Sequence, residues 1–214
     1  MRITKIERQK KRASRKSIFI DGTFAFGVSD DVLLRFGLHE GAELGEGMAA
    51  RIIEAENEET AKQKALRFLG IRPRSKKEIR DYLMKKSFTP ELAESIIGRL
   101  ESLRMLDDLA FARMVCRDLL AKKPSGEKML RQQMMKKGVP AAVIEDVLGE
   151  FSTPEAEFAM ALKAAEKQIL RIGRSSRPSD DDIIKKKILE YLLRRGFAFE
   201  TALNAAKRVT AKQS

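Results

Sequence analysis

The sequence predicts a mostly α-helical protein in which three tandem three-helix repeats form an elongated curved rod, behind a small N-terminal module of a β-hairpin and a helix. A ten-residue pattern occurs three times, starting at Ile79, Leu130 and Ile188. From about residue 48 the apolar residues follow a helical period almost to the end of the chain. Before that point, Asp21-Gly22 separates two runs of alternating apolar residues, which indicates one hairpin.

The N-terminal module is predicted to span residues 1–47. Its apolar residues alternate before and after the turn, so that both sets can face one side: Ile18, Ile20, Phe24, Phe26 and Val28. A two-stranded hairpin is marginally stable alone, so we expect a strand near residues 3–6 and a helix to cover it. That helix is predicted to begin at Ser29, a capping residue, and to end at Gly37.

Three repeats are predicted at residues 48–106, 107–153 and 154–214, each with a helix, a loop, a second helix, a tight turn and a third helix. The aligned blocks are residues 79–88, 130–139 and 188–197, which start 51 and 58 residues apart. Each block is apolar at its first, fifth and sixth positions, basic at the seventh and eighth, and small at the ninth. One such unit buries little apolar surface alone, so we expect neighbouring units to share faces.

Residues at helix ends have specific expected roles. Ser75 with Glu78 three positions later is typical of a capping box. Asp107-Asp108 is interpreted as a helix cap rather than a metal site, because no nearby carboxylates complete a cage. At the ninth position of the blocks, Gly138 and Gly196 are expected to need a positive φ angle, and the serine of the first block must tolerate or avoid it.

The charge predicts an anionic partner. The chain has 43 Lys and Arg against 31 Asp and Glu, a net charge of +12, and residues 1–16 alone hold eight basic residues and one acidic residue. A field of this sign attracts polyanions and acidic protein surfaces. The basic run Arg8–Lys16 is therefore either a solvated strand edge that discourages pairing or a contact with nucleic acid or a filament.

The basic doublets Lys85-Lys86, Lys136-Lys137 and Arg194-Arg195 occur at the same place in every repeat. One interpretation is structural, because cations at a helix C-terminus complement the helix dipole. The other is a row of regularly spaced basic residues that faces phosphates or acidic groups. The two roles are compatible. The complete set of candidate binding residues is Arg8, Lys10, Lys11, Arg12, Arg72, Arg74, Lys85, Lys86, Lys136, Lys137, Arg194 and Arg195.

Several classes of function are disfavoured by what the sequence lacks. Cys116 is the one cysteine, which excludes an intramolecular disulfide, fits a reducing compartment and is expected to be buried. His39 has no partners for a zinc site or a catalytic triad, and there is no phosphate-binding loop. We therefore expect a non-enzymatic protein without cofactor or metal, in the cytoplasm and away from membranes.

These residues resemble the RecX family of bacterial regulators of the RecA recombinase. The stretches that carry the resemblance are residues 65–69, 72–79, 106–112 and 136–139, with the run Leu106-Asp107-Asp108-Leu109-Ala110-Phe111-Ala112 the most specific. The hairpin at residues 19–27 resembles the N-terminal extension of longer, Gram-positive-type members. Ser87 departs from the family, which usually has glycine there.

The resemblance implies a monomer that binds RecA, chiefly as a filament on single-stranded DNA, and most often inhibits its ATPase and strand-exchange activity. It thereby implies a role in the SOS response and the regulation of DNA repair. Direct contact with DNA is a further expectation. The alternative is a basic DNA-binding or architectural protein that acts without a recombinase, and its mark is tight binding to naked DNA with a steep salt dependence.

Overall fold

A computed structural model describes residues 1–9, 12–175 and 181–211, with the backbone alone for residues 12–13 and 173–175. Three antiparallel strands form one sheet in the order β1 (Ile3–Gln9), β2 (Arg12–Ile20) and β3 (Thr23–Ser29). The described helices are α1 (Asp30–Arg35), α2 (Met48–Leu69), α3 (Lys76–Lys85), α4 (Pro90–Ser102), α5 (Asp108–Lys122), α6 (Glu127–Lys136), α7 (Ala141–Phe151), α8 (Pro154–Ser175), α9 (Asp181–Arg194) and α10 (Phe199–Thr210). This order confirms a mostly α fold of helical repeats behind a small β module.

The predicted hairpin joins β2 to β3. Asp21 and Gly22 have φ angles of 49° and 84°, as the predicted type I′ turn requires. Ile18 and Val28 are fully buried, which confirms the shared apolar face. Phe24 is an exception, because the register shifts between Ile18 and Phe19 and leaves Phe24 59 % exposed. It packs edge-on against Phe19, with 5.9 Å between the ring centroids.

Half of the basic run lies in the central strand. Arg12 begins β2, and Lys16 pairs with Arg8 of β1 on one side and with Val28 of β3 on the other. The strand-edge interpretation is therefore wrong for Arg12–Lys16. Sequence alone missed this half of the strand because its charged residues mask the apolar alternation that identifies strands. Lys10 and Lys11 lie outside the described residues.

Helix α1 covers the sheet, as predicted, and α2 also packs against it. The Ser29 hydroxyl accepts a hydrogen bond from the Val32 amide at 3.3 Å and caps α1, which ends before Gly37 at a φ of 59°. Val32 and Ile52 are buried against the apolar residues of the sheet. Burial of this shared face supplies the stabilisation that a hairpin alone lacks.

The three repeats are α2–α3–α4, α5–α6–α7 and α8–α9–α10. At the fifth position of the aligned blocks, Leu83, Met134 and Leu192 are each fully buried. The contacts divide the chain into two compact units, Met1–Arg72 with Ile79–Leu103, and Pro73–Glu78 with Arg104–Ser214, called unit 1 and unit 2 here. In the part of the chain that the structure describes, none of the helices combines the length and hydrophobicity of a membrane-spanning segment.

The predicted helix caps are present, with one difference in the capping box. Asp107 accepts a hydrogen bond from the Ala110 amide at 2.8 Å, which confirms its capping role. Ser75 accepts from the Glu78 amide at 3.1 Å, but the Glu78 carboxylate is 3.3 Å from the Lys137 ammonium, an ion pair absent from the predicted capping box. Helix α8 continues to Ser175, because burial of Ile172 offsets the low helix propensity of the glycine that follows it.

The tight turn between the second and third helices is the same in every repeat. The amides of Phe88, Val139 and Phe197 donate to carbonyls five residues earlier, at 3.1–3.2 Å, in a Schellman motif. The residue before each has a positive φ, 78° at Gly138 and 84° at Gly196. The prediction of positive φ at these glycines is confirmed.

In the first repeat this left-handed position is occupied by Ser87, with a φ of 66°. A side chain there costs roughly 1 kcal/mol, which glycine avoids. We expect Ser87→Gly to raise the free energy of unfolding by up to about 1 kcal/mol, measured by urea denaturation. Ser95→Gly, at an exposed position inside α4, is the control and should instead be destabilising by roughly 0.5–1 kcal/mol. A Ser87→Gly protein no more stable than the wild type would contradict the prediction.

Candidate functional site

The first residues of the three basic doublets are alike. Helices α3, α6 and α9 end at Lys85, Lys136 and Arg194, and all three side chains are exposed. Their positive charges lie where the helix carbonyls concentrate partial negative charge. This confirms the predicted position at helix C-termini and leaves the charged groups accessible to solvent.

The second residues of the doublets differ from repeat to repeat. Lys86 is exposed, and its ammonium lies 5.7 Å from the centre of the Tyr82 ring. Lys137 and Arg195 are half-buried and contact other parts of unit 2. The sequence pattern treats the two positions as equivalent, whereas in the second and third repeats the structure separates an exposed cation from one that packs against another segment.

Lys137 takes part in a contact between the end of α6 and the segment Pro73–Glu78, both in unit 2. The Ser75 hydroxyl donates to the Lys137 carbonyl at 2.6 Å, and the Lys137 ammonium is 3.3 Å from Glu78. Ser75 is fully buried. The contact therefore satisfies one of the carbonyls that an α-helix leaves without a partner at its C-terminus.

The end of α9 makes the equivalent contact one repeat later. Here Gly126, which aligns with Ser75, donates its backbone amide to the Arg195 carbonyl at 3.0 Å. The Arg195 guanidinium donates to the Pro124 carbonyl and, at 2.7 Å, to the Ser125 hydroxyl. The same aligned carbonyl is thus bound by a side-chain hydroxyl in one place and by a main-chain amide in the other.

Glycines allow this close approach. A Cβ atom on Gly126 would overlap the main-chain atoms of Gly196 and Phe197. One on Gly138 would lie 2.7 Å from the Lys77 Cβ, and one on Gly196 would lie 2.7 Å from the Met129 Cβ. Gly138 and Gly196 are therefore required twice, by their positive φ and by the neighbouring segment.

An exposed apolar residue precedes each doublet. Met84, Met135 and Leu193 occupy the sixth position of the blocks and are 47 %, 63 % and 39 % exposed. The sequence analysis described the fifth and sixth positions alike as apolar and did not separate their environments. The helical period was the available signal, because adjacent residues point about 100° apart, so the fully buried fifth position turns the sixth away from the core.

The remaining candidate residues are more scattered. Arg8 is exposed on β1, and Arg12 begins β2. Arg72 and Arg74 are half-buried in the loop before α3, and Arg74 lies 3.5 Å from Glu78. Within the described part of unit 1, Arg8 and Arg12 thus belong to the sheet, whereas Lys85 and Lys86 lie at the end of α3.

Ion pairs between the second and third helices of a repeat are also repeated. Arg80 pairs with Glu94, and Arg131 pairs with Glu145 at the aligned positions. Hydrogen bonds from the arginine hold the pKa of each of these carboxyl groups below its usual value. In the third repeat the aligned residues are Leu189 and Leu203, so this pair has been replaced by apolar side chains.

The cysteine and the histidine, two residue types often found in reactive sites, have the following surroundings. Cys116 is fully buried, its sulfur lies 3.8 Å from the Met134 sulfur, and burial raises the pKa of its thiol to about 11. This confirms the expected buried cysteine. His39 contacts the adjacent Glu40 carbonyl. The described residues contain no cluster of three or more His, Cys, Asp or Glu side chains arranged to hold a metal ion.

Three family models match successive parts of the chain. They describe the regulatory protein RecX N-terminal domain at residues 1–45, the first three-helix domain of RecX at residues 61–100 and the second at residues 107–148. The matches follow the order of the sheet module and the first two repeats. They account for the N-terminal module and for most of the first two helical repeats.

Curated RecX proteins and solved RecX structures are also similar to this chain. Regulatory protein RecX of Listeria monocytogenes serovar 1/2a is 32 % identical over 99 % of this chain and 77 % of its own length. That of Limosilactobacillus reuteri is 32 % identical over 92 % of this chain and 72 % of its own length. A crystal structure of regulatory protein RecX superposes with a TM-score of 0.75 at 31 % identity, covering 94 % of this chain and 96 % of the other. The RecX structure from Lactobacillus salivarius shares the fold, with a TM-score of 0.62 at 23 % identity over 73 % of this chain and 99 % of the other.

Proposed function

Because this chain belongs to the RecX family of regulatory proteins, we propose that it binds RecA filaments on single-stranded DNA and lowers their ATPase and strand-exchange activity. The proposal is that of a non-enzymatic regulator. The family relationship carries it, since the relatives match over most of their own length as well as over nearly all of this chain. Regulation of RecA in DNA repair and the SOS response is the role that this relationship supports.

The repeated surface supports a repeating partner. Each repeat presents an exposed cation beside an exposed apolar side chain: Lys85 with Met84, Lys136 with Met135 and Arg194 with Leu193. A cation next to an apolar group suits an acidic protein surface with an apolar centre. Several such weak contacts to successive subunits of a filament add as avidity. We propose these six residues as filament contacts.

The test is RecA ATPase on single-stranded DNA with substoichiometric amounts of this protein, comparing wild type with Lys85→Glu/Lys136→Glu/Arg194→Glu. Reversing three contacts of about 1 kcal/mol each should raise the concentration for half-maximal inhibition by more than about tenfold. These side chains make no ion pairs among the described residues, but each reversal loses a favourable interaction with the helix dipole of about 0.3–1 kcal/mol. The midpoint of urea denaturation should therefore fall slightly, and inhibition is compared under conditions where circular dichroism shows every variant fully folded.

The control carries the same change of charge at other exposed helical positions, Arg51→Glu/Lys163→Glu/Lys167→Glu. It should inhibit as the wild type does if the contacts are specific. Equal loss of inhibition in both triple variants would show that net charge, rather than these contacts, causes the effect. If the wild-type protein left the RecA ATPase rate unchanged, the proposed function would be refuted. Lys137 is left unchanged because a glutamate there would face Glu78 and lower stability.

Binding to DNA without a recombinase is the second candidate function, and the concentration of +7 in the first sixteen residues favours it. Affinity that depends on phosphate contacts falls steeply with salt, by roughly a thousandfold or more between 50 and 200 mM for six or more contacts. Filament binding that persists at a salt concentration where binding to naked DNA is lost would favour RecA as the partner. Loss of both together would favour DNA.

A further inference from the structure

A polar cleft lies between the sheet and α2, within unit 1. Its volume is about 360 Å³, which is within the size range of small-ligand sites. The lining residues are Ser14 and Arg15 of β2, Ser29 at the end of β3, and Thr60, Gln63, Lys64 and Arg67 of α2. We call it the β2–α2 cleft. Three of the seven side chains are cationic, three carry hydroxyl groups, and none is acidic.

Helix geometry explains why α2 contributes four neighbouring residues. Positions 60, 63, 64 and 67 are spaced i, i+3, i+4 and i+7, so they lie on one face of the helix. Ala61 and Ala65 on an adjoining face are fully buried. The polar face is thereby directed toward β2, and the sheet provides the opposite wall.

The lining residue Arg15, which is half-buried, forms an ion pair with the buried Glu56 of α2. The Arg15 guanidinium is 2.6 Å from one Glu56 oxygen, and the Thr60 hydroxyl donates to the same oxygen at 3.2 Å. The other Glu56 oxygen accepts from the Ser29 amide at 2.6 Å. Glu56 therefore has partners on both oxygens and neutralises Arg15 alone.

The other two cations of the cleft have no such counterion. Neither Lys64 nor Arg67 has a carboxylate partner among the described residues, and the Lys64 ammonium lies 6.0 Å from the Phe88 ring centre. Glu59 of α2 accepts a hydrogen bond from the lining residue Gln63, but its carboxylate is already paired with the Lys62 ammonium, 2.5 Å away. The lining, with Glu56 included, thus carries an excess of two positive charges.

Donors remain available in the cleft. Arg15 has five N–H groups, and three are used on Glu56, Thr60 and the Gly27 carbonyl. Ser14 is exposed at the rim, and Lys64 and Arg67 bring further donors. A compact dianion that accepts several hydrogen bonds matches this set, because guanidinium, ammonium and hydroxyl groups are the common ligands of phosphate.

We propose that the β2–α2 cleft binds a phosphate group. The chemistry is shared by a free phosphorylated ligand and by the backbone of single-stranded nucleic acid, and the test distinguishes these two sources. The site is independent of RecA, so its existence does not depend on the proposed function. It also gives the basic N-terminal module a role apart from the helix ends of the repeats.

The experiment measures binding to the full chain by isothermal titration at matched ionic strength, with inorganic phosphate, a 5′-mononucleotide and an oligothymidylate as separate ligands. The variant is Lys64→Ala/Arg67→Ala, and the control Arg51→Ala/Lys163→Ala removes the same charge at exposed helical positions. Arg15 is left unchanged because it supports the fold. We expect the cleft variant to bind at least one ligand about tenfold more weakly than the control does, as expected for the loss of two charge-assisted contacts.

The pattern among ligands identifies the source. Weakening of phosphate or mononucleotide binding supports a free phosphorylated ligand, and weakening of oligothymidylate alone supports a nucleic-acid backbone. If the double alanine variant does not fold, Ser14→Glu at the exposed rim replaces it, with the same expected weakening by charge repulsion. Equal affinities of the cleft variant and its control for all three ligands would overturn the proposal.

Discussion

Replacing Gly126 by alanine is expected to lower the free energy of unfolding of unit 2 by about 4 kcal/mol. The added Cβ would overlap the main-chain oxygen of Gly196 and the amide of Phe197, and main-chain atoms cannot rotate away as a side chain can. Overpacking of this kind costs roughly 1–3 kcal/mol. The displacement would also break the hydrogen bonds from Gly126 to Arg195 and from Lys128 to Gly196, at about 1 kcal/mol each.

The measurement for Gly126 is urea denaturation followed by far-ultraviolet circular dichroism. Gly149→Ala is the matched control, because Gly149 is an exposed residue of α7 with open space at its Cβ position. That variant should be neutral or more stable by up to about 1 kcal/mol, from helix propensity. A Gly126→Ala protein within about 0.5 kcal/mol of the wild type would show that the contact between α9 and the start of α6 contributes little.

Replacing Glu56 by alanine is expected to cost about 2–3 kcal/mol, because the Ser29 amide loses its buried acceptor and the half-buried Arg15 guanidinium loses its counterion. The Glu56 side chain is 8 % exposed and binds Arg15, Thr60 and the amide of Ser29. Its loss would strand Arg15 in the sheet and leave the Ser29 amide without its acceptor. Since Ser29 also caps α1, the cost should appear throughout the N-terminal module.

Two comparisons make the Glu56 prediction specific. Glu54→Ala removes an exposed carboxylate from the same helix and should change stability by less than about 0.5 kcal/mol. The double change Arg15→Met/Glu56→Leu should cost less than Glu56→Ala, because neither buried charge is then left alone. Equal stability losses for Glu54→Ala and Glu56→Ala would contradict the structural role assigned to this ion pair.

The architecture was predictable because its determinants are local. The helical period, the recurrence at Ile79, Leu130 and Ile188, and the turn at Asp21-Gly22 all act within a few residues of chain. The basic doublets could be assigned to helix C-termini for the same reason. The polar half of β2 could not be predicted this way, because strand pairing rather than apolar alternation keeps Arg12–Lys16 extended.

The basic doublets show which part of the candidate site could be predicted from the sequence and which could not. Sequence alone placed Lys136 and Lys137 side by side at the end of a predicted helix, and nothing local separates their roles. The pairing of Lys137 with Glu78, 59 residues away, arises only when the end of α6 meets the segment before α3. The β2–α2 cleft is equally non-local, since Arg15 and Thr60 are 45 residues apart.

The sequence by itself determined that this protein is built of basic helical repeats behind a small β module, and it identified the family. The tertiary structure decided that Lys137 and Arg195 pack while Lys136 and Arg194 stay exposed, why Gly126 carries no side chain and where Arg15 finds its counterion. The physical reason is the distance along the chain over which each kind of interaction acts. Helix periodicity, capping and turn preferences act over a few residues, whereas close main-chain approach and buried ion pairs join residues that only folding brings together.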